Sequence, residues 1–177
     1  CTFELERDAH CFQEVLKKRL GRFSLELAED KTKLLRFGRF AERETKRLDG
    51  QSPGTFDFLG FTHYCGHSRA GRFKLKRKTS SKKLRNKFAD LKEWLRHNLT
   101  QPIDEVWKTL NSKLRGHYQY YGINDNWPSL IKYQETAKRF AYRWICRRSQ
   151  KGRISLREYD EYLKRNPLAG PIRLTDL

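Results

Sequence analysis

Residues 79–121, TSSKKLRNKFADLKEWLRHNLTQPIDEVWKTLNSKLRGHYQYY, decide how the chain folds. Thr79, Ser80 and Ser81 offer N-caps, because a short hydroxyl side chain can accept a hydrogen bond from an otherwise unpaired first-turn N–H. Leu84, Phe88, Leu91, Leu95 and Leu99 then recur at steps of four, three, four and four, the spacing of one helical face. Pro102 suits the first turn of a second helix, since it has no N–H to lose there. That helix carries Ile103, Val106, Trp107, Leu110, Leu114, Tyr118 and Tyr121 on one stripe and stops at Gly122. In this stretch Tyr118 and Tyr121 fall on the apolar stripe and are expected buried, while Tyr120 faces outward.

Downstream, Asn124-Asp125-Asn126-Trp127-Pro128 reads as a loop and cap. It leads into a third long helix with Tyr133, Ala137, Phe140, Ala141, Trp144 and Ile145 on one face and Lys132, Arg139 and Arg143 on another. Gly152 breaks this helix, Ser155–Arg165 forms a shorter one, and residues 167–177 read as an irregular tail. Upstream, Arg72–Arg77 (RFKLKR) alternates like a half-buried strand and Gly66–Gly71 supplies a turn, so a hairpin joins it to Thr55–Tyr64, read as a single strand. Glu42–Thr55 reads as a polar loop. Leu25–Leu27 and Lys33–Phe40 read as short strands around the connection Ala28–Lys31, and Cys1–Leu5 as the end of a strand. Ala9, Phe12, Val15, Leu16, Leu20 and Phe23 mark an early helix, with Gly21 closing it or carried in its last turn. The pattern is α+β, without internal repeats.

The 177 residues include 39 Lys and Arg against 21 Asp and Glu, a formal charge of +18. The charge is unevenly placed. Residues 1–60 hold twelve bases and eleven acids, so residues 61–177 carry +17. Twelve bases lie between Arg69 and Arg96 against only Asp90 and Glu93. Such asymmetry marks an anion-binding face and points to a polyanion partner. Aromatic residues make up 13% of the chain, which a disordered basic tail would not need. No apolar run approaches the ~20 residues that cross a bilayer, and no targeting peptide is recognisable. With Cys1 first and no Met anywhere, the chain is expected to be processed or part of something longer. Cys1, Cys11, Cys65 and Cys146 show no paired spacing, so reduced thiols and a cytoplasmic setting are expected.

Enzymatic constellations are scarce. No Ser-centred elbow, Gly-rich phosphate loop or paired carboxylates in an apolar setting occur. His63-x-Cys65-x-His67 would place three ligand types on one side of a strand, but structural zinc usually takes four. The expectation is a polar hairpin end and no metal.

Three motifs together do carry a resemblance. Residues 21–33 (GRFSLELAEDKTK) resemble the reverse-transcriptase segment in which a palm helix leads to a Glu/Asp-Lys-Thr connection. Phe56-Asp57-Phe58-Leu59-Gly60-Phe61 resembles the primer-grip strand of the same enzymes. Leu114-Arg115-Gly116-His117-Tyr118-Gln119-Tyr120-Tyr121 resembles the Leu-Arg-Gly…Tyr-Tyr signature of the maturase, or thumb, domain in group II intron-encoded proteins. The resemblance implies a small palm remnant of a helix and short antiparallel strands over residues 1–64, then a maturase/thumb RNA-binding domain over 65–166 with a hairpin and a basic three-helix bundle.

The family pattern also implies roles. Phe58, Leu59, Gly60 and Phe61 would position the primer end, Gly60 permitting close backbone approach. Lys31 would be a general acid that protonates the leaving pyrophosphate. Charge and resemblance together place RNA contacts on Lys74, Lys76, Lys78, Lys82, Lys83, Arg85, Lys87, Arg115, Tyr120, Lys132, Arg139 and Arg143. The implied partners are structured intron RNA, an RNA/DNA template–primer, and the fingers and palm of a parent protein. The family's Tyr-x-Asp-Asp turn would precede residue 1. This chain is therefore expected to bind no cofactor and to be inactive alone, whereas a full-length RNA-directed DNA polymerase would use Mg²⁺. A stand-alone basic RNA-binding module, or a reverse transcriptase of another bacterial retroelement, is the alternative.

Overall fold

The computed structural model describes residues 1–48, 53–148 and 154–172. The chain divides into two compact units, Cys1–Gly54 and Thr55–Leu177. The fold is α+β, with helices in both units and a three-stranded antiparallel sheet in the second.

In the first unit, α1 spans Glu6–Gly21, with Glu6 and Asp8 in its first turn and Lys18 and Arg19 in its last, as the helix dipole favours. Gly21 is carried within the last turn. The left-handed residue that ends the helix is Ser24, at φ 56°, and the Leu25 N–H bonds back to the Leu20 carbonyl at 3.1 Å. Two expectations fail here. Cys1–Leu5, Leu25–Leu27 and Lys33–Phe40 form no strands, because each alternation is short and none finds a pairing partner among the described residues. Instead the connection turns locally, with the Lys31 and Thr32 N–H groups both donating to the Ala28 carbonyl. Conversely, part of the expected polar loop is helix α2, Ala41–Leu48. Ala41 and Thr45 are its buried positions, and a Lys46–Glu42 pair at 2.8 Å lies one turn apart on its surface. The rest of that loop includes residues 49–52, outside the described residues.

The second unit opens with a correction. Thr55–Tyr64 is not one strand but two, β1 (Phe56–Phe58) and β2 (Phe61–His67), folded on the two-residue turn Leu59-Gly60. Both turn residues have positive φ, 49° and 82°, as this tight antiparallel connection requires. The expected hairpin follows, with β2 pairing β3 (Phe73–Thr79) from Phe61↔Thr79 to His67↔Phe73. The turn beyond β2 closes through the Ser68 N–H to the Arg72 carbonyl at 2.8 Å.

Helices α3 (Ser81–His97), α4 (Ile103–Tyr121), α5 (Trp127–Arg148) and α6 (Leu156–Arg165) follow as the stripes foretold. Ser80 caps α3, its hydroxyl accepting from the Lys83 N–H at 3.3 Å. Leu84, Leu91 and Leu95 meet Leu110, Leu114 and Tyr118 of α4 and Leu130, Tyr133 and Ala137 of α5 in one core. Truncating a fully buried Leu such as Leu110 or Leu114 to Ala costs about 2–5 kcal/mol at sites of this kind. Asn124–Asn126 forms a short 3-10 turn whose last residue joins sheet to bundle. The fully buried Asn126 amide accepts from the Thr79 N–H (2.6 Å) and donates to the Thr79 hydroxyl (2.7 Å) and the Tyr121 carbonyl (2.9 Å). The expected break at Gly152 and the end of the tail, residues 173–177, lie outside the described residues. No helix among the described residues is long and apolar enough to cross a membrane.

Candidate nucleic-acid interface

The Leu59-Gly60 turn is held from the end of α4. The Tyr120 hydroxyl donates to the Leu59 carbonyl at 2.9 Å, and the Ser80 N–H donates to the Gly60 carbonyl at 2.9 Å. The Phe61 ring packs against both Tyr120 and Tyr121, with centroids 6.0 and 5.1 Å away. Leu59 pays the steric cost of a left-handed backbone while its own side chain stays 68% exposed. The close approach at Gly60 comes from within the protein, since a Cβ there would sit 2.9 Å from the Tyr121 hydroxyl. Phe58, beside the turn, is also exposed. Lys31 belongs to the first unit, exposed in the turn after Ala28.

Basic residues fall into three groups. Lys74, Lys76 and Lys78 alternate on one face of β3, opposite Gly66, Tyr64 and Thr62. Each is engaged. The Lys74 ammonium lies 3.2 Å from the Asp125 carboxylate, Lys76 lays its aliphatic stem over Gly66, and the Lys78 ammonium sits 5.3 Å above the Tyr64 ring. On α3, by contrast, Lys82, Lys83, Arg85 and Lys87 are all exposed while Leu84 between them is buried. On the remaining helices Arg115, Lys132, Arg139 and Arg143 are exposed, and Arg139 donates to the Thr136 hydroxyl at 3.3 Å. The three α5 bases share a face away from the core stripe. Tyr118 and Tyr121 are buried and Tyr120 is 56% exposed, matching the helical spacing.

A cleft of about 460 Å³ opens between α3, α4 and α5, lined by Lys87, Asp90, Lys113, Gly116, His117 and Tyr133 among others. It gathers Lys87 and Tyr120 from the predicted residues and adds three that sequence reasoning passed over. His117 is only 6% exposed, and neither ring nitrogen finds a protein partner among the described residues. Its ring stacks on Tyr133 at 3.8 Å and leans on Tyr121 at 4.7 Å. Burial first, and the Lys87 ammonium second, push its pKa down to about 4, so it is neutral at pH 7. Each unpaired buried nitrogen costs roughly 1–3 kcal/mol. Gly116 lies on the same wall, with open space where a side chain would stand. Lys113 extends over the Trp94 ring, its ammonium 5.1 Å from the centroid. The signal for His117 was present in its spacing, three residues after Leu114 and four before Tyr121, on the inward face. Its chemistry drew no notice because a polar residue on a stripe reads as packing.

His63, Cys65 and His67 do share a face of β2, but His63 stacks on Phe56 at 4.9 Å instead of converging on a common point. Among the described residues no group of three or more His, Cys, Asp or Glu side chains is arranged to hold a metal. None of the four cysteines forms a disulfide among the described residues.

Comparison with known proteins bears on the bundle directly. Residues 82–162 match the family described as group II intron, maturase-specific domain. That match runs from the first turn of α3 into α6, taking in the cleft and the α3 bases. No curated protein and no solved structure matched the chain. Over those residues the helical bundle is similar to a group II intron maturase-specific domain.

Proposed function

We propose that the second unit binds structured intron RNA through the exposed basic face of α3, and that in a full-length protein it supports intron splicing and RNA-directed DNA synthesis on a template–primer. The observation that carries this reading is the exposure of Lys82, Lys83, Arg85 and Lys87 at the start of the segment similar to the maturase-specific domain. Four exposed cations within six residues of one helix concentrate positive charge that can neutralise several phosphates at once. Arginine can grip phosphate with two parallel hydrogen bonds, and lysine acts as a point charge. The β3 lysines contribute less, because the Lys74 ammonium is paired with Asp125 and the Lys78 ammonium sits over the Tyr64 ring.

In this reading the Leu59-Gly60 turn is the primer-grip element, presented at the protein surface by Tyr120. Its support is strain, since a non-glycine residue in a left-handed conformation persists where the surroundings enforce it. Lys31 would serve as the general acid toward pyrophosphate. Polymerisation would draw on Mg²⁺ held by acidic residues of the catalytic palm. The described residues contain no such cluster, so no step through that ion is assigned to them.

The test is the salt dependence of binding to a structured group II intron RNA. If about five phosphates are neutralised, log K falls with log[salt] at a slope near −3.5 for single strands and −4.5 for a B-form duplex. Replacing Lys82, Lys83, Arg85 and Lys87 together by Gln should flatten that slope by several units and leave the melting temperature nearly unchanged. An unchanged slope would place the RNA on another face.

A further inference from the structure

We infer that the cleft between α3, α4 and α5 receives one unstacked nucleobase of the bound RNA, with its flanking phosphate on Lys87 and Lys113 and its polar edge toward His117. The inference rests on the RNA-binding reading above and adds to it a specific site.

Size comes first. A cleft of about 460 Å³ is within the range of small-ligand pockets and accommodates a purine or pyrimidine. Its walls suit a flat, partly polar, negatively charged guest. Tyr120, 56% exposed, offers a ring surface on the cleft lining, and bases of any sequence stack on aromatic side chains. Lys87 and Lys113 both line the cleft, and a phosphate following the base would meet Lys87 first and draw the Lys113 ammonium from its place over the Trp94 ring. Asp90 adds an acceptor for an exocyclic amino group.

His117 makes the site more than a groove. It is 94% shielded from solvent, pinned by the Tyr133 ring, and lacks a protein partner for either nitrogen among the described residues. Buried polar groups normally find partners, so an orphan at the floor of a cleft marks a position awaiting one. A neutral imidazole carries one donor and one acceptor, the pairing that the edges of nucleobases also present.

Gly116 is the independent observation. It stands in the middle of α4, where glycine weakens a helix relative to alanine. No neighbour demands it, because an added Cβ would meet nothing within 4 Å. Its φ is not left-handed either. What glycine provides here is an uncovered helix backbone along the cleft wall, over which a planar ring can slide close. Unstacked bases in loops and bulges are the usual targets of sequence-sensitive RNA recognition, and the strongly basic α3 surface beside the cleft would deliver them.

The test uses the 177-residue chain and two RNA hairpins of equal length, one fully paired and one carrying a single bulged 2-aminopurine. Fluorescence anisotropy gives the affinity ratio, and 2-aminopurine emission reports stacking. The expected result is about tenfold tighter binding of the bulged hairpin, with a change in emission on binding. Gly116→Leu, a good helix former that fills the cleft, should bring the ratio close to one, with circular dichroism confirming the fold. His117→Phe should keep the emission change and lose any preference among bulged A, C, G and U. Salt-dependent binding with no bulge preference would overturn the cleft proposal while leaving the RNA-binding reading intact. A preference that survives Gly116→Leu would also overturn it, by placing the base elsewhere. No salt-dependent binding of either hairpin would overturn both.

Discussion

Gly60→Ala tests how the turn is built, and its cost divides into two separable parts. The first is backbone strain. Gly60 sits at φ 82°, and a left-handed conformation costs an L-residue about 1–2 kcal/mol. The second is steric. The new Cβ would lie 2.9 Å from the Tyr121 hydroxyl and 3.6 Å from its ring edge. Tyr121 has little freedom to yield, because it is 6% exposed and its ring contacts Phe61, His117 and Tyr120 at 5.1, 4.7 and 4.7 Å. Overpacking of that kind costs at least about 1 kcal/mol. Alanine recovers about 0.4–1 kcal/mol by restricting the unfolded chain. The net expectation is a loss of about 2 kcal/mol. Urea unfolding followed by tryptophan fluorescence measures it, and a double-mutant cycle with Tyr121→Phe separates the parts. Removing the hydroxyl should relieve the steric share, about 1 kcal/mol, and leave the strain. If Gly60→Ala costs under about 0.5 kcal/mol, or shows no coupling to Tyr121→Phe, the turn is not held as described.

Three further outcomes can be checked on the same chain. Asn126→Ala strands the buried Thr79 N–H and the Tyr121 carbonyl, and should cost about 3 kcal/mol or more by denaturant unfolding. His117, whose folded pKa lies near 4, should destabilise the fold on acidification. The unfolded imidazole takes its proton near pH 6.5 and the folded one does not until pH 4. Its contribution is therefore complete above pH 6.5 and falls by about 2–3 kcal/mol by pH 4, a dependence that His117→Phe should remove. At the start of α6, the Ser155 backbone N–H and hydroxyl both donate to Glu158, at 2.7 and 2.8 Å, and hold its carboxyl below the usual range. Ser155→Ala should cost about 1 kcal/mol. The Glu158 contribution should be present above the ordinary carboxylate range and lost as pH falls through its lowered folded pKa, read as faster amide exchange in α6 at acid pH.

Much of the bundle was legible because helix periodicity is a local property. Leu84, Leu91 and Leu95, or Leu110, Leu114 and Tyr118, show their shared face in their spacing alone, and burial followed. The charge on α3 was equally legible, since Lys82, Lys83 and Arg85 flank Leu84 and must point away from whatever it packs against. Strands were harder. Leu25–Leu27 and Lys33–Phe40 have strand-like composition, but a strand exists only if another pairs with it, and pairing is a long-range event. Thr55–Tyr64 failed for the opposite reason. Its aromatic-rich run hid a turn, because Leu59 is a poor predictor of a left-handed residue and is held there by Tyr120, 61 positions away. Helix α2 was obscured by its charges, which read as a loop until Ala41 and Thr45 were buried.

Charge and helical stripes settled by themselves that this is a basic α+β protein with a helical bundle, and the Leu-Arg-Gly…Tyr-Tyr run carried its resemblance to the maturases. They act through composition and near neighbours, which the chain carries however it folds. The cleft, its orphaned His117 and the clasp of Tyr120 on Leu59 belong to the tertiary structure alone. Each depends on where α3, α5 and the β1–β2 turn settle around α4, and that placement is set by packing between residues that the sequence keeps far apart.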